Sequence, residues 1–171
     1  KGYNRHRIRL QQINFAMAFS HGDKLPSILK PLPGSLRDVK SLKYFLEEFD
    51  LSRSTLILDR GFFSYKNVEY FLNNEIAFIQ PLRRSSELID YGTEMSEGFE
   101  YRKRGILQSK KDITDLLKKR IEWNNDSRVF LYTYEDVKLR GEEESNLILL
   151  RKNGKILGYD RTRLGKVSIL S

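Results

Sequence analysis

The sequence predicts an α/β protein built on a mixed sheet, and two observations carry that prediction. The first is a βαβ unit. Residues 55–58 (Thr-Leu-Ile-Leu) form a short β-branched and aliphatic run of the kind that fills a strand buried on both faces, and Asp59 follows directly. Gly61 turns the chain, Ser64 stands as an N-cap, and Tyr65, Val68 and Leu72 recur at helical spacing. Asn73-Asn74 then leads into a second apolar strand over residues 76–79. The second observation lies upstream, where Ile13, Phe15, Met17 and Phe19 alternate with Asn14, Ala16, Ala18 and Ser20 in the period of a strand.

The remaining elements follow in order. Ile8 and Leu10 continue the first strand out of phase, which predicts a bulge near Gln11-Gln12. His21-Gly22-Asp23 is a turn, and the returning residues 25–32 contain Pro26 and Pro31, which confine that strand to a sheet edge because proline donates no ladder hydrogen bond. Ser35-x-x-Asp38 has the spacing of a helix N-terminal cap, with Leu36, Val39, Leu42, Leu46 and Phe49 as the apolar stripe behind it. In residues 112–123, Ile113, Leu116, Leu117 and Ile121 share a helical face opposite Lys118, Lys119 and Arg120. Residues 129–134, 146–150 and 155–159 read as strands, the last two joined at Asn153-Gly154, a hairpin signal.

Composition limits the chemistry. The 171 residues are 39% hydrophobic, enough for one domain with a core. There is no cysteine, and the two histidines, His6 and His21, cannot build a histidine-rich zinc site, so any metal is expected to be oxygen-ligated. No apolar run approaches the length of a membrane span and no signal-peptide core opens the chain, which predicts a soluble cytoplasmic protein. The formal net charge of +8 favours a polyanionic partner. Lys1, Arg5, Arg7 and Arg9 crowd the N-terminal arm, and Arg151, Lys152, Lys155, Arg161, Arg163 and Lys166 crowd the other end against Asp160, so both ends are candidates to face phosphates.

The pattern Asp59-Arg60-Gly61-Phe62-x-Ser64-x-x-Asn67, followed by Phe78-Ile79-x-Pro81-x-Arg83, resembles the second-aspartate block of insertion-sequence transposases of the DDE type. Gly2-Tyr3-Asn4, and Pro33-Gly34-x-x-x-Asp38 opening a helix, are similar to segments that precede this aspartate in that family. The element order is that of a ribonuclease-H-like fold lacking its first strand. The resemblance implies that residues 1–83 are a partial catalytic core, residues 84–165 a β-rich insertion with a helix, and residues 166–171 a strand returning to the core. It also implies that the first catalytic aspartate and the final glutamate fall outside this chain, which reads as an internal fragment or a truncated, decayed copy.

What the resemblance implies for chemistry is metal-dependent cleavage and strand transfer of DNA, with Asp59 as a catalytic and metal-binding residue. Carboxylates hold magnesium or manganese, which takes hard oxygen ligands, and two such ions stabilise the attacking and leaving oxygens together. The metal is expected only where the missing carboxylates are present. Arg60, Arg5, Arg7, Arg9, Arg161 and Arg163 are the DNA-binding candidates; the partners are transposon ends and target DNA, with a possible homodimer on DNA in the full-length protein and nucleoid association when bound. Other readings stay open. Asp59 also fits a turn or capping aspartate before Arg60-Gly61, and Arg60 fits a pairing with a neighbouring acid. Asp136-Val137-Lys138 after a strand suits a metal-dependent nuclease of another class if Asp136 meets Asp59 at one metal. The third reading is a non-catalytic nucleic-acid-binding remnant. Trp123, Tyr132 and Tyr134 are candidates for base stacking, against the commoner role of packing.

Overall fold

The computed structural model describes residues 13–33, 42, 46, 49, 54–155 and 160–171. The readings on the N-terminal arm, the Gln11-Gln12 bulge, Asp38 and residues 156–159 lie outside these. The protein is mixed α/β, as predicted. Strands β1 (Ile13–Ser20) and β2 (Leu25–Pro33) form an antiparallel hairpin, a two-stranded sheet of its own. Phe15 faces Pro31 and Phe19 faces Pro26 in its register, so β2, with β1 as its one neighbour among the described residues, carries its prolines at an edge. Its turn is held by Ser20 and Asp23, whose side chains bond at 2.7 Å. Small residues of β1 face inward: Ala16 and Ala18, with Ile28 of β2, pack against the core, whereas Ile13, Phe15, Met17 and Phe19 are exposed.

The second sheet has six strands in the order β3-β4-β8-β7-β6-β5. Here β3 is Thr55–Ile57, β4 Ala77–Pro81, β5 Glu97–Tyr101, β6 Arg104–Asp112, β7 Phe130–Asp136 and β8 Lys166–Leu170. Among the described strands only β3 and β4 pair in parallel, and between them run a 3-10 turn, Arg60–Phe62, and helix α1, Tyr65–Asn73. Ser64 caps α1 by accepting from the Asn67 amide, as its position predicts. Val68, Phe71 and Leu72 turn inward, and the Phe71 ring lies 5.1 Å from that of Phe78 on β4. Leu42 and Leu46 are helical and join this cluster, as do Ile113, Leu117, Ile121 and Trp123. The expectation that β3 is buried on both faces is corrected: Leu56 packs against the core on one face, but Thr55 and Ile57 (69% exposed) lie on the other, which is uncovered among the described residues.

Three readings of residues 84–165 change. The helix expected over residues 112–123 is a single short one, α2 (Thr114–Lys118); Ile113, Leu117 and Ile121 are buried, but Leu116 is partly exposed. The strand expected over residues 146–150 belongs instead to helix α3, Val137–Lys152. Asn153-Gly154 ends that helix rather than turning a hairpin. Gly154 adopts φ +68, its amide bonds Arg151 O, and Lys155 N bonds Leu150 O, the paired bonds of a left-handed helix terminus. Asn-Gly supplies positive φ for either use, and the helix formers running back from Lys152 decide which. Lys155 lies in the bend after this cap. The hairpin of β5 and β6 has no such signal: Arg102 and Lys103 make its two-residue turn at φ 50 and 61.

Strand β8 holds the sheet together. It pairs antiparallel with β4 on one side and β7 on the other, Leu170 facing Gln80 and Leu131, and Ser171 exchanges both backbone bonds with Phe130 at 2.7 and 3.0 Å. Toward the helices its side chains are polar as well as apolar. Ser168 bonds Thr133 at 2.9 Å, and Lys166 Nζ lies 3.6 Å from buried Glu135, which also accepts from Arg140 at 2.8 Å. Just before it, Gly165 sits at φ +66, where an added Cβ would stand 2.6 Å from Asp136 O and 2.7 Å from Arg140 Cβ. Gly165→Ala should therefore cost about 3 kcal/mol or more, since strain and overlap add. Lys166→Met removes the more distant of the two cations around Glu135 and leaves Arg140 bonded to it, so it should cost less, about 1 to 2 kcal/mol. Urea unfolding of both variants checks these values.

Candidate functional site

Asp59 lies two residues past β3, at the C-terminal end of the first strand of the βαβ unit. Its backbone is extended (φ −78°, ψ 153°) and its carboxylate is exposed. Oδ1 accepts the Gly61 amide at 2.8 Å, capping the 3-10 turn, so the capping reading is realised in the geometry. Gly61 has no need of positive φ here; a Cβ on it would lie 3.2 Å from Asp59 Oδ1, and its amide is the group the carboxylate takes. The main chain of Asp59 is fixed twice more. Its carbonyl accepts from Phe62 N at 3.0 Å and from the Gln80 side chain at 3.0 Å. Asn67, buried in α1, donates to Phe62 O at 2.8 Å and closes the loop from the other side.

Gln80 is a residue the sequence reading missed. It stands in β4 at 1% exposure, with Nε2 bonding both Asp59 O and Pro81 O, while its Oε1 is buried without a hydrogen-bond partner among the described residues. The signal was a lone amide within the apolar run of residues 76–79 and Pro81, a place where a buried strand tolerates a polar group only if it is bonded.

Asp136 does not join Asp59. Strands β3 and β7 are separated by β4 and β8, so three inter-strand steps place them about 14 Å apart. Asp136 instead caps α3, its Oδ1 accepting from Leu139 N at 2.9 Å, and its Oδ2 pairs with Arg104 at 2.8 Å. The converging arrangement needed by the alternative nuclease reading is absent. Among the described residues no three acidic or histidine side chains cluster. Asp59 supplies one hard oxygen ligand of the kind magnesium takes, and further carboxylates would have to join it from outside the described residues.

The basic candidates divide. Arg60 is exposed beside Asp59. Arg5, Arg7 and Arg9 lie outside the described residues. Arg161 and Arg163 are exposed but ion-paired, with Glu144 at 3.2 Å and Asp160 at 2.8 Å, so the C-terminal cluster is less unopposed than its sequence neighbours suggest; α3 brings Glu144 in from a distance. Lys166 is corrected outright as a phosphate-facing residue, being buried against Glu135. Trp123 is likewise a core residue: it is buried and its Nε1 donates to Ser127 O at 3.1 Å. Tyr132 and Tyr134 are half-buried on the sheet face opposite Leu131, Thr133 and Glu135. Comparison of the chain with family models, characterised proteins and solved structures gave no match. Among the described residues no helix is long and apolar enough to cross a membrane.

Two aspartates in these networks titrate low. The Thr114 hydroxyl and amide, then Arg128, hold Asp112 at about 2 against an ordinary 3.8, and Arg104 followed by the Leu139 amide lowers Asp136. A carboxylate depressed in the folded state contributes stability above its unfolded pKa and loses it as pH falls through the folded value. Stability should therefore decline from about pH 4 toward pH 2. Asp112→Asn and Asp136→Asn should each flatten that slope, as read from urea midpoints across the pH range.

Proposed function

We propose that this chain is part of the catalytic core of a DDE-type transposase, acting in metal-dependent cleavage and strand transfer of DNA. In this reading residues 1–83 belong to a ribonuclease-H-like core without its first strand, residues 84–165 are an insertion, and residues 166–171 return to the core. The observation that carries it is the placement of Asp59: an exposed carboxylate at the C-terminal edge of a parallel strand pair, its main chain held by Phe62 and Gln80. A strand end so fixed gives a carboxylate the stable position that metal chemistry needs, while the exposed side stays open to substrate. The position of β8 beside β4 agrees with a chain that leaves the core, builds an insertion and comes back. In place, magnesium or manganese would stabilise both oxygens of an in-line phosphodiester displacement. Asp59 would hold that metal with partner carboxylates from elsewhere in the protein, and exposed Arg60 would meet a phosphate. Transposon ends and target DNA are the partners in this reading, with a homodimer on DNA in the full-length protein, working in the cytoplasm at the nucleoid.

A second reading has an observation of its own. Each polar residue of the Asp59–Asn67 motif that makes a bond here serves the loop: Asp59 caps, Gly61 donates, Ser64 caps and Asn67 ties down Phe62. That is how a non-catalytic nucleic-acid-binding remnant would look.

Charge substitution separates the two. In a protein extended to include the missing carboxylates, Asp59→Asn should abolish magnesium- or manganese-dependent nicking, because the amide keeps the cap but loses the charge, whereas Asp38→Asn and Asp136→Asn should leave most of it. An active Asp59→Asn enzyme sinks the catalytic reading. The 171-residue chain itself should not nick DNA, but should bind duplex in the range of roughly 10⁻⁴ to 10⁻⁶ M and release it as salt rises. Titration at several salt concentrations checks this, and a flat response would count against a nucleic-acid role.

A further inference from the structure

We infer that the open face of the six-stranded sheet is a stacking surface for single-stranded DNA. Phe130, Tyr132 and Tyr134 recur at every second position of β7 and all lie on the face away from the buried Leu131, Thr133 and Glu135. Their neighbours extend the surface. The Phe130 and Tyr132 rings are 6.5 Å apart, and Phe99 on β5 meets Tyr134 edge-on at 6.2 Å. Each ring is half-buried or exposed, so each keeps surface open to solvent. Cations accompany the rings. Lys110 Nζ sits 4.1 Å from the Phe130 centroid and 5.5 Å from that of Tyr132, and Arg128 lies 5.2 Å from Phe130.

The charge decides between occupants. Arg128 is neutralised by Asp112, and Glu97 of β5, on the same face, accepts from Gln108, which leaves Lys110 without an ion pair among the described residues. An apolar cover, whether a second copy of this chain or another protein segment, would bury that ammonium with no carboxylate to meet it. A single nucleic-acid strand brings both complements: phosphates for Lys110 and an exposed π-face from each base for the rings. Duplex DNA does not, because its bases are already stacked on one another. The geometry holds whether or not Asp59 is catalytic; only the choice of DNA over RNA rests on the proposed function.

The test is fluorescence anisotropy of the 171-residue chain with labelled oligo(dT), a duplex of the same length, and oligo(rU). Oligo(dT) should bind about tenfold or more tightly than the duplex. Tyr132→Leu keeps an apolar strand residue but removes the aromatic face, and should weaken oligo(dT) about tenfold while leaving duplex binding unchanged. Lys110→Met should weaken it less and reduce the salt dependence by about one phosphate contact. In the unmutated protein, oligo(dT) should shift the ring-proton resonances of Tyr132 and Tyr134, a readout that needs no variant. Equal affinity for duplex, an unaltered Tyr132→Leu, or unmoved ring resonances would overturn the assignment. So would tighter binding of oligo(rU), or concentration-dependent dimerisation that Tyr132→Leu abolishes.

Discussion

The two-sided hydrogen bonding of β8 is the constraint on which the rest of the structure depends. The parallel pair β3-β4 and the antiparallel set β7-β6-β5 have no direct ladder between them; β8 supplies it by pairing with both. It lies far from β4 in sequence, and the βαβ unit near Asp59 and the strands made after Pro81 become one sheet only through residues 166–170. Such a long-range closure costs loop entropy that must be recovered by the contacts it makes. Leu170, fully buried beside Leu131, supplies apolar contact, while Ser168 and Lys166 require Thr133 and Glu135 to satisfy them. A strand that buries polar groups tolerates one register, since a slip by one residue would turn them to the open face and bring Val167 and Ile169 inward.

That closure also shapes the candidate site. Gln80, facing Leu170 across the ladder, is held in a strand with neighbours on both sides, and from there it reaches the Asp59 carbonyl. Arg84, at the exit of β4, makes a two-pronged pair with Glu143 of α3 and donates to Lys166 O, so the loop beyond the strand is tied to the same closing segment. The position of Asp59 thus rests on residues far away in sequence as well as on its own loop.

What could be read in the sequence, and what could not, follows from how local each signal is. Residues 55–58, Ser64 and the Val68 and Leu72 spacing act within a few positions, and the βαβ unit forms where they predict it. Asn153-Gly154 is local too, but one dihedral preference serves two structures, and the helix formers from Lys138 to Lys152 outweighed the continuous aliphatic run Leu147-Ile148-Leu149. The β5–β6 hairpin was illegible because Glu97-Gly98-Phe99-Glu100-Tyr101 lies exposed along its length and so carries no buried-face alternation. At the site, Asp59 was found because a carboxylate after an aliphatic run stands out. Gln80 was not, since its role is a bond to a carbonyl 21 positions away. The partners of Arg161 and Lys166 were hidden for the same reason.

The outward face of β1 has a consequence for how this protein behaves in solution. Ile13, Phe15, Met17 and Phe19 stand 58–68% exposed in a row, with Leu25 and Leu29 of β2 nearby. A contiguous apolar strip of that kind is adhesive, and its attraction is driven by water released on contact. Attraction of that origin weakens on cooling and strengthens with sulfate or phosphate, which are excluded from protein surfaces. The chain should therefore stay dispersed best in the cold and in buffers free of those anions, and warming or salting-out conditions should turn a preparation turbid well before the core unfolds.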